Sequence, residues 1–422
     1  MAWLRALYAS FSDIRRLRIL DFINRTSKEQ GAENMRAIEL FAGAGGLGMG
    51  ISKAGFKPLQ IVEWDRWCCD TIRENRLAAT SPISNWPLPI EGDVRNLDFR
   101  PYEGRIDLVS GGPPCQPFSM GGKHRANADD RDMWSEAVRV VRETKPRGFI
   151  FENVKGLTRA SFATYLAYIV HQLSYPDIVR GGDEDWQRHL ARLEQHHTSG
   201  ARCGLHYNVV YRVLNAANYG VPQKRERVVF VGFREDLAIE WSFPEETHSF
   251  DALLWDQARD STYWDRHRVA SANRSMDNRL HDRGMRLLEK PASAPWQTVR
   301  DALADIPDPE FHPDAMKKFT NHRFQPGARS YAGHTGSPLD EPAKTLKAGV
   351  HGVPGGENML ARPDGTVRYF SVRESARLQT FPDTFQFHGS WTESMRQLGN
   401  AVPVELARVI GQNVARCLQE AA

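Results

Sequence analysis

The string Gly111-Gly112-Pro113-Pro114-Cys115-Gln116 directly follows the apolar run Ile106–Val109 and sets one thiol in a rigid turn at the exit of a predicted buried strand. Two glycines permit a tight bend and two prolines preset the backbone, so Cys115 is held at a sheet edge rather than packed into the sheet. That is where a nucleophile would sit. A lone cysteine is more often a small buried hydrophobe, and the residues around it have to decide between the two.

A second string able to do chemistry is Phe41-Ala42-Gly43-Ala44-Gly45-Gly46-Leu47-Gly48, which follows the first predicted strand and opens a helix. Gly43, Gly45 and Gly48 satisfy G-x-G-x-x-G, and Glu63 stands twenty residues after Gly43. In a dinucleotide fingerprint the glycines allow close backbone approach and the acid binds a ribose hydroxyl pair. Alone, this pattern fits NAD as readily as any other adenosine cofactor, and it also fits a tight turn with no ligand.

Positioning such groups requires a sheet whose strands end together. From Arg36 to about Asp236, short apolar runs alternate with helical stretches: Ile38–Phe41, Leu59–Val62, Ile106–Val109 and Gly148–Phe151. That alternation predicts βαβ units and a parallel sheet. Open sheets of this kind bind ligands at the carboxyl ends of their strands. The strands end at the glycine turn, at Glu63-Trp64-Asp65, at Cys115 and at Glu152-Asn153-Val154, with Asp93 closing the segment between. Tyr207–Leu214 and Arg227–Phe233 read as a hairpin joined through Gly220-Val221-Pro222, able to close one sheet edge. Residues 176–206 form an insertion around a helix expected to be solvated. Its His196, His197, Cys203 and His206 lack a completing ligand, so no metal is expected.

Composition sets the outer bounds. The 422 residues are 41% hydrophobic and 25% charged, with net charge +3, ordinary values for a globular enzyme of two or three domains. Five cysteines without framework spacing fit free thiols in the cytoplasm. No run approaches the roughly 18 apolar residues of a membrane span, and no signal peptide is expected. Residues 1–34 read as an amphipathic helix, with Met35 a possible older start of the core. Beyond about Glu240 the periodicity breaks down. Ser261–Lys290 carries seven Arg or Lys against four Asp or Glu, interleaved with aromatic residues, a mix that suits phosphates and base edges.

Seven strings in chain order resemble the C5-cytosine DNA methyltransferase family of bacterial restriction-modification systems: Phe41–Gly46, Glu63-Trp64-Asp65, Pro113–Ser119, Glu152-Asn153-Val154, Gln223–Arg227, Arg373–Gln379 and Gly399–Pro403. Any one recurs by chance; all seven in family order are specific. The resemblance covers residues 36–422. It implies an α/β fold: a Rossmann-like S-adenosylmethionine-dependent methyltransferase sheet with helices on both faces, plus a smaller irregular target-recognition domain. The implied division is an N-terminal extension (1–35), a catalytic domain (36–240, with 385–422 returning to it) and a target-recognition domain (241–384).

Cytosine C5 is a weak carbon nucleophile, so a thiolate must add to C6 before C5 can take a methyl group. By resemblance Cys115 is that thiolate, Glu152 serves N3 and the exocyclic amine, Arg227 serves O2, and Arg225 stands with them. The implied donor is S-adenosyl-L-methionine, leaving as S-adenosyl-L-homocysteine. Phe41 and Trp64 would flank its adenine, Gly43, Gly45 and Gly46 would admit its methionine portion, and Glu63 would hold its ribose. Asp93, Pro114, Asn400 and Val402 would complete that pocket. Gln116, Ser119, Lys123, Arg125, Thr345 and Lys347 are the expected DNA contacts. The aperiodic, glycine-containing segment 117–133 reads as a closing loop; Gly121 departs from the serine many family members carry there. The implied partners are double-stranded DNA with a specific short sequence and, functionally, a restriction endonuclease, the enzyme being a monomer. Transfer to RNA cytosine, a DNA-binding regulator without activity and a nicotinamide oxidoreductase are the competing readings; the last leaves the cysteine and arginine motifs without purpose.

Overall fold

Along each long strand, apolar side chains alternate between two covers, which is what a sheet buried on both faces demands. The computed structural model describes residues 35–114, 133–200, 204–349 and 356–421. The expected N-terminal helix, Cys115, Gln116, Ser119, Lys123, Arg125, most of the closing loop and Cys203 lie outside the described residues. Strands β1 (Met35–Leu40), β2 (Phe56–Glu63), β3 (Ile90–Glu91), β4 (Leu108–Gly111), β5 (Gly148–Val154), β6 (Tyr207–Asn215) and β7 (Glu226–Arg234) form one sheet in the order β3-β2-β1-β4-β5-β7-β6. The first five are parallel. β7 runs antiparallel to β5 and pairs with β6, so the expected hairpin does close this edge.

One face is covered by α3 (Trp134–Thr144), α4 (Ala163–Ser174) and α5 (Trp186–Ser199), which bury Leu40, Val109, Phe149, Phe151, Val228 and Phe230; α1 (Gly46–Lys53) and α2 (Arg66–Leu77) precede them in the chain. Helix α5 is the insertion's helix. Its outward side is solvated as expected, but His189, Leu190 and Leu193 are buried, because their spacing puts them on one face. His197 hydrogen-bonds the Tyr175 hydroxyl at 2.6 Å and His206 meets Glu235 at 2.7 Å. Among the described residues no group of three His, Cys, Asp or Glu could hold a metal ion, and no helix is long and apolar enough to cross a membrane.

After β7 the chain builds short elements: α6 (Phe250–Ala258), α7 (Thr262–Arg266), α8 (Asn278–Met285), α9 (Val299–Leu303) and small strands at Ser337–Pro338, Met359–Ala361 and Val367–Tyr369. Two small apolar clusters hold them, one around Leu253, Tyr263 and Trp264, the other around Val299, Leu346, Leu360 and Phe370. The chain then returns through α10 (Val372–Leu378), α11 (Trp391–Asn400) and α12 (Val404–Glu420). Val372, Ala376, Phe381 and Phe385 pack with Ala42, Met49 and Ile61. Helix α12 lies with α1 on the second sheet face, where Leu406 and Ile410 join Leu47, Leu108, Ile150 and Val231.

One contact shows how tightly the sheet is filled. Gly232 of β7 sits opposite Phe149 of β5, and a Cβ there would stand 2.2 Å from the Phe149 ring. Overpacking of a close-packed core costs about 1–3 kcal/mol. Gly232→Ala should lose that much in urea unfolding, whereas Gly182→Ala, whose Cβ would meet open space, should unfold within experimental error of the unchanged chain.

Candidate active site

Because β1 to β5 are parallel, their carboxyl ends share one edge of the sheet, and the residues following each strand gather there. Phe41 leaves β1 with φ 53°, in the left-handed region that costs a bulky residue free energy, which fixes where its ring goes. Gly45 follows at φ 88° and N-caps α1 without a side-chain cap. A Cβ on Gly46 would lie 2.4 Å from the Val402 carbonyl oxygen, so glycine is what lets the returning chain cross the turn.

At the end of β2, the Glu63 carboxylate accepts from Gly43 N–H at 2.7 Å, Trp64 N–H at 2.9 Å and Asp65 N–H at 2.8 Å. Burial pushes its pKa up and those three donors pull it down. Asp65 caps α2 through Cys68 N–H, which turns the chain and leaves Trp64 71% exposed. An exposed indole beside a buried acid and a glycine turn is a cradle that an adenosine group fits. Asp93, following β3, has both oxygens held by Arg95, so an adenine amine would compete with that guanidinium. Pro114 follows β4, Asn400 is exposed at the end of α11, and Val402 is buried against the glycine turn.

At the neighbouring position, Glu152 of β5 and Arg227 of β7 form an ion pair with Nε to Oε1 at 2.6 Å, both side chains about nine-tenths buried. Antiparallel register sets Glu152 opposite Val229 and Val154 opposite Arg227, so the two are diagonal neighbours on one sheet face. Burial drives the Glu152 pKa up, while Arg227 and Arg225 pull it back. Its Oε2 would lie 3.3 Å from a Cβ on Gly112, so the carboxyl abuts the turn that leads to residue 115. Asn153 pins that turn: its Nδ2 donates to the Pro113 carbonyl at 2.9 Å. A carboxyl and a guanidinium side by side in a dry corner can together meet the acceptor and donor groups of a flat polar ring.

Arg225, grouped by sequence with the catalytic residues, is fully buried. It donates to the carbonyls of Leu346 at 3.2 Å and Gly399 at 2.8 Å, tying both of these later segments to the start of β7. Thr345 donates to the Lys224 carbonyl at 2.6 Å, and Lys347 pairs with Glu357 at 2.6 Å. Sequence reasoning overlooked that Glu39 of β1 is buried, at 2% exposure. The available signal was a lone acid inside the apolar run Ile38–Phe41.

A family model for C-5 cytosine-specific DNA methylase matches residues 35–175 and 191–416. The chain is 32% identical over 390 residues to the type II methyltransferase M.PspPI of Psychrobacter sp., spanning 91% of this chain and 80% of the relative. It is 31% identical over 388 residues to M.Eco47II of Escherichia coli, spanning 91% and 79%. Among solved structures, a DNA modification methyltransferase encoded within an E. coli prophage superposes with TM-score 0.56 at 20% identity, covering 91% of this chain and 99% of that one. The S. pombe Dnmt2 methyltransferase superposes at 0.52 with 15% identity, covering 92% and 99%. These two likenesses are of fold.

Removing one partner of a buried ion pair strands the other, at a cost of about 3–5 kcal/mol. Arg227→Met should therefore unfold at lower urea concentration, and adding Glu152→Gln should recover much of the loss. An unpaired Glu152 has a folded pKa above its unfolded value, so its stability contribution is intact at low pH and lost as pH rises. The deficit of the single variant should accordingly grow from pH 5 to pH 8.

Proposed function

The chain belongs to the C-5 cytosine-specific DNA methylase family, and on that premise we propose that it methylates one cytosine within a short specific sequence of double-stranded DNA through Cys115. The observation that carries the proposal is the buried Glu152–Arg227 pair lying against the Gly112–Pro114 turn and sharing one sheet edge with the glycine turn. When bound, S-adenosyl-L-methionine supplies a methyl group on a positively charged sulfur, which C5 accepts once it has become electron-rich. Phe41, Gly43, Gly45, Gly46, Glu63, Trp64, Asp93, Pro114, Asn400 and Val402 would hold it.

The protein's own part begins with the Cys115 thiolate forming a bond to C6, which pushes the ring's electron pair toward C5. Glu152 carries a proton to N3 and accepts from the exocyclic amine, and Arg227 donates to O2, so charge arriving on the ring is met where it develops. A raised Glu152 pKa favours the proton-bearing carboxyl this role needs. A water molecule then takes the C5 proton, the thiolate leaves C6 and N3 returns its proton to Glu152, which restores the aromatic ring. Arg225 is assigned to positioning, since its donors hold Leu346 and Gly399.

Reaching the base requires extrusion from the duplex, at a few kcal/mol of unstacking. Residues 241–384 would read the sequence, with 372–384 docking that domain on the catalytic sheet. The exposed side chains of Arg279, Arg286, Arg323 and Arg329 have no ion-pair partner among the described residues, which suits phosphate contacts. Gln116, Ser119, Lys123, Arg125, Thr345 and Lys347 are the further candidates for DNA contact. The biological role would be protection of DNA from a partner restriction endonuclease by a monomeric, cytoplasmic enzyme.

Incubation with tritium-labelled donor and mixed-sequence DNA should place label in 5-methylcytosine, with tRNA a poor competitor. Cys115→Ser should lower transfer by at least about a thousandfold while donor binding persists, the loss expected when a covalent nucleophile is removed. Undiminished turnover in that variant would remove the thiol from its role.

A further inference from the structure

Residues 315–339 contain no aspartate or glutamate, in a chain where 52 of 422 residues are acidic. The stretch carries Lys317, Lys318, Arg323 and Arg329 together with Phe319, Phe324 and Tyr331. Both of its ends are fixed. Near the start, the buried His322 lies between the Ser371 hydroxyl at 2.8 Å and the Pro307 carbonyl at 2.7 Å. Beside it, the Asn321 side chain donates to the Phe387 carbonyl at 3.1 Å and accepts from the Phe387 N–H at 2.8 Å. Near the end, the Ser337 hydroxyl accepts from Lys344 N–H at 3.0 Å, and a Cβ on Gly336 would stand 3.1 Å from the Ala361 nitrogen. Between these anchors, residues 323–335 form no regular helix or strand and are largely exposed.

Within this loop one ring is held still. His334 N–H donates to the Tyr331 carbonyl at 2.8 Å and Tyr331 N–H to the His334 carbonyl at 3.3 Å, with Gly333 at φ 78° making the turn between them. The imidazole stacks on one face of the tyrosine ring, centroids 4.3 Å apart and 22° from parallel. The ring is nonetheless 58% exposed, and its neighbours Ser330, Ala332 and Gly333 are too small to cover it. The exposed guanidinium groups of Arg323 and Arg329 have no ion-pair partner among the described residues. A partner for this loop must therefore offer a flat face to the ring and negative charge beside it. A nucleic-acid base with its flanking phosphates has both.

We propose that Tyr331 is a DNA-stacking residue: its free face takes a base of the target duplex while Arg323 and Arg329 hold the adjoining phosphates. Extrusion of one base uncovers the faces of its neighbours, which gives such a ring its place to stack. The assignment rests on the reading of double-stranded DNA as substrate and is independent of the Cys115 chemistry. The loop is also tied toward the catalytic pair. The Thr335 hydroxyl accepts from Lys344 Nζ at 2.9 Å, Lys224 N–H donates to the Ala343 carbonyl at 2.8 Å, and the Thr345 hydroxyl donates to the Lys224 carbonyl at 2.6 Å. The carboxyl end of the loop is thus bonded through residues 343–345 to Lys224, three positions before Arg227.

The test uses the full chain and unmethylated genomic DNA fragments, read both as equilibrium binding with S-adenosyl-L-homocysteine present and as KM for methyl transfer. Tyr331→Leu should raise Kd and KM by about fivefold to a hundredfold, the worth of one aromatic–base stack, whereas Tyr331→Phe should stay within about twofold of the unchanged chain. Neither change should alter the slope of log Kd against log salt, while Arg329→Gln should make it shallower by about one. Binding of S-adenosyl-L-homocysteine without DNA and the urea midpoint should be the same in all four proteins, which separates a lost stack from a damaged fold. Unchanged DNA affinity in Tyr331→Leu, or an equal loss in Tyr331→Phe, overturns the assignment. So does tRNA that binds as tightly as the duplex and loses as much in Tyr331→Leu. Absence of methyl transfer with the difference between Leu and Phe variants intact in DNA binding counts against the Cys115 reading and supports the stacking role.

Discussion

An acid and a guanidinium held 2.6 Å apart in a nearly water-free corner are stable only as a pair, and this constraint organises the surrounding structure. The antiparallel joining of β7 to β5 puts both groups on one face of the sheet, at the edge where the parallel strands end. Asn153, next in sequence to Glu152, points to the opposite side of its strand and spends its amide on Pro113. Two successive residues of β5 therefore do separate work: one pairs with Arg227, the other fixes the turn at Pro113. The parallel arrangement alone would not provide this, because the arginine arrives on the strand that breaks it.

Buried polar side chains hold the irregular parts of the chain where regular hydrogen bonding cannot. Gln223 accepts from Leu346 N–H and donates to the Leu378 carbonyl, and Gln379 donates to the Leu398 carbonyl. Arg373 donates to the carbonyls of Thr320, Pro382 and Phe385. These bonds satisfy backbone groups near helix ends and in irregular segments, across separations from 9 to 155 residues in sequence. An aperiodic stretch with two small apolar clusters needs such cross-links more than a sheet does.

What could be read from sequence divides along the same physical line. The apolar runs revealed the strands, and with them the shared edge, because a sheet buried on both faces leaves a continuous apolar signature. The residues just past each strand were thereby placed without coordinates. Side chains whose partners are distant carbonyls leave no such trace. Arg225 and Arg227 are two residues apart in one motif, yet one reaches Leu346 and Gly399 while the other pairs with Glu152. Spacing alone does not separate a residue that faces substrate from one that ties loops. Glu39 was concealed by its own strand, since an acid in an apolar run reads as an interruption until the neighbour that accommodates it, Ser110, is known to lie alongside.

The segment 341–346 and the Glu152–Arg227 pair are joined through a short stretch of backbone. Gln223 bridges to Ala343, Lys224 pairs with Glu341 at 2.9 Å and accepts from Thr345, and Arg225 donates to Leu346. Three consecutive residues are thus bonded to segment 341–346, and Arg227 follows two residues later. Moving that segment as a unit must either break several of these bonds, at about 1 kcal/mol or more for each one buried, or carry the start of β7 with it. The second course shifts Arg227 against Glu152, whose own strand is fixed in the sheet by β4. Displacing segment 341–346 with these bonds intact would therefore move Arg227 against Glu152.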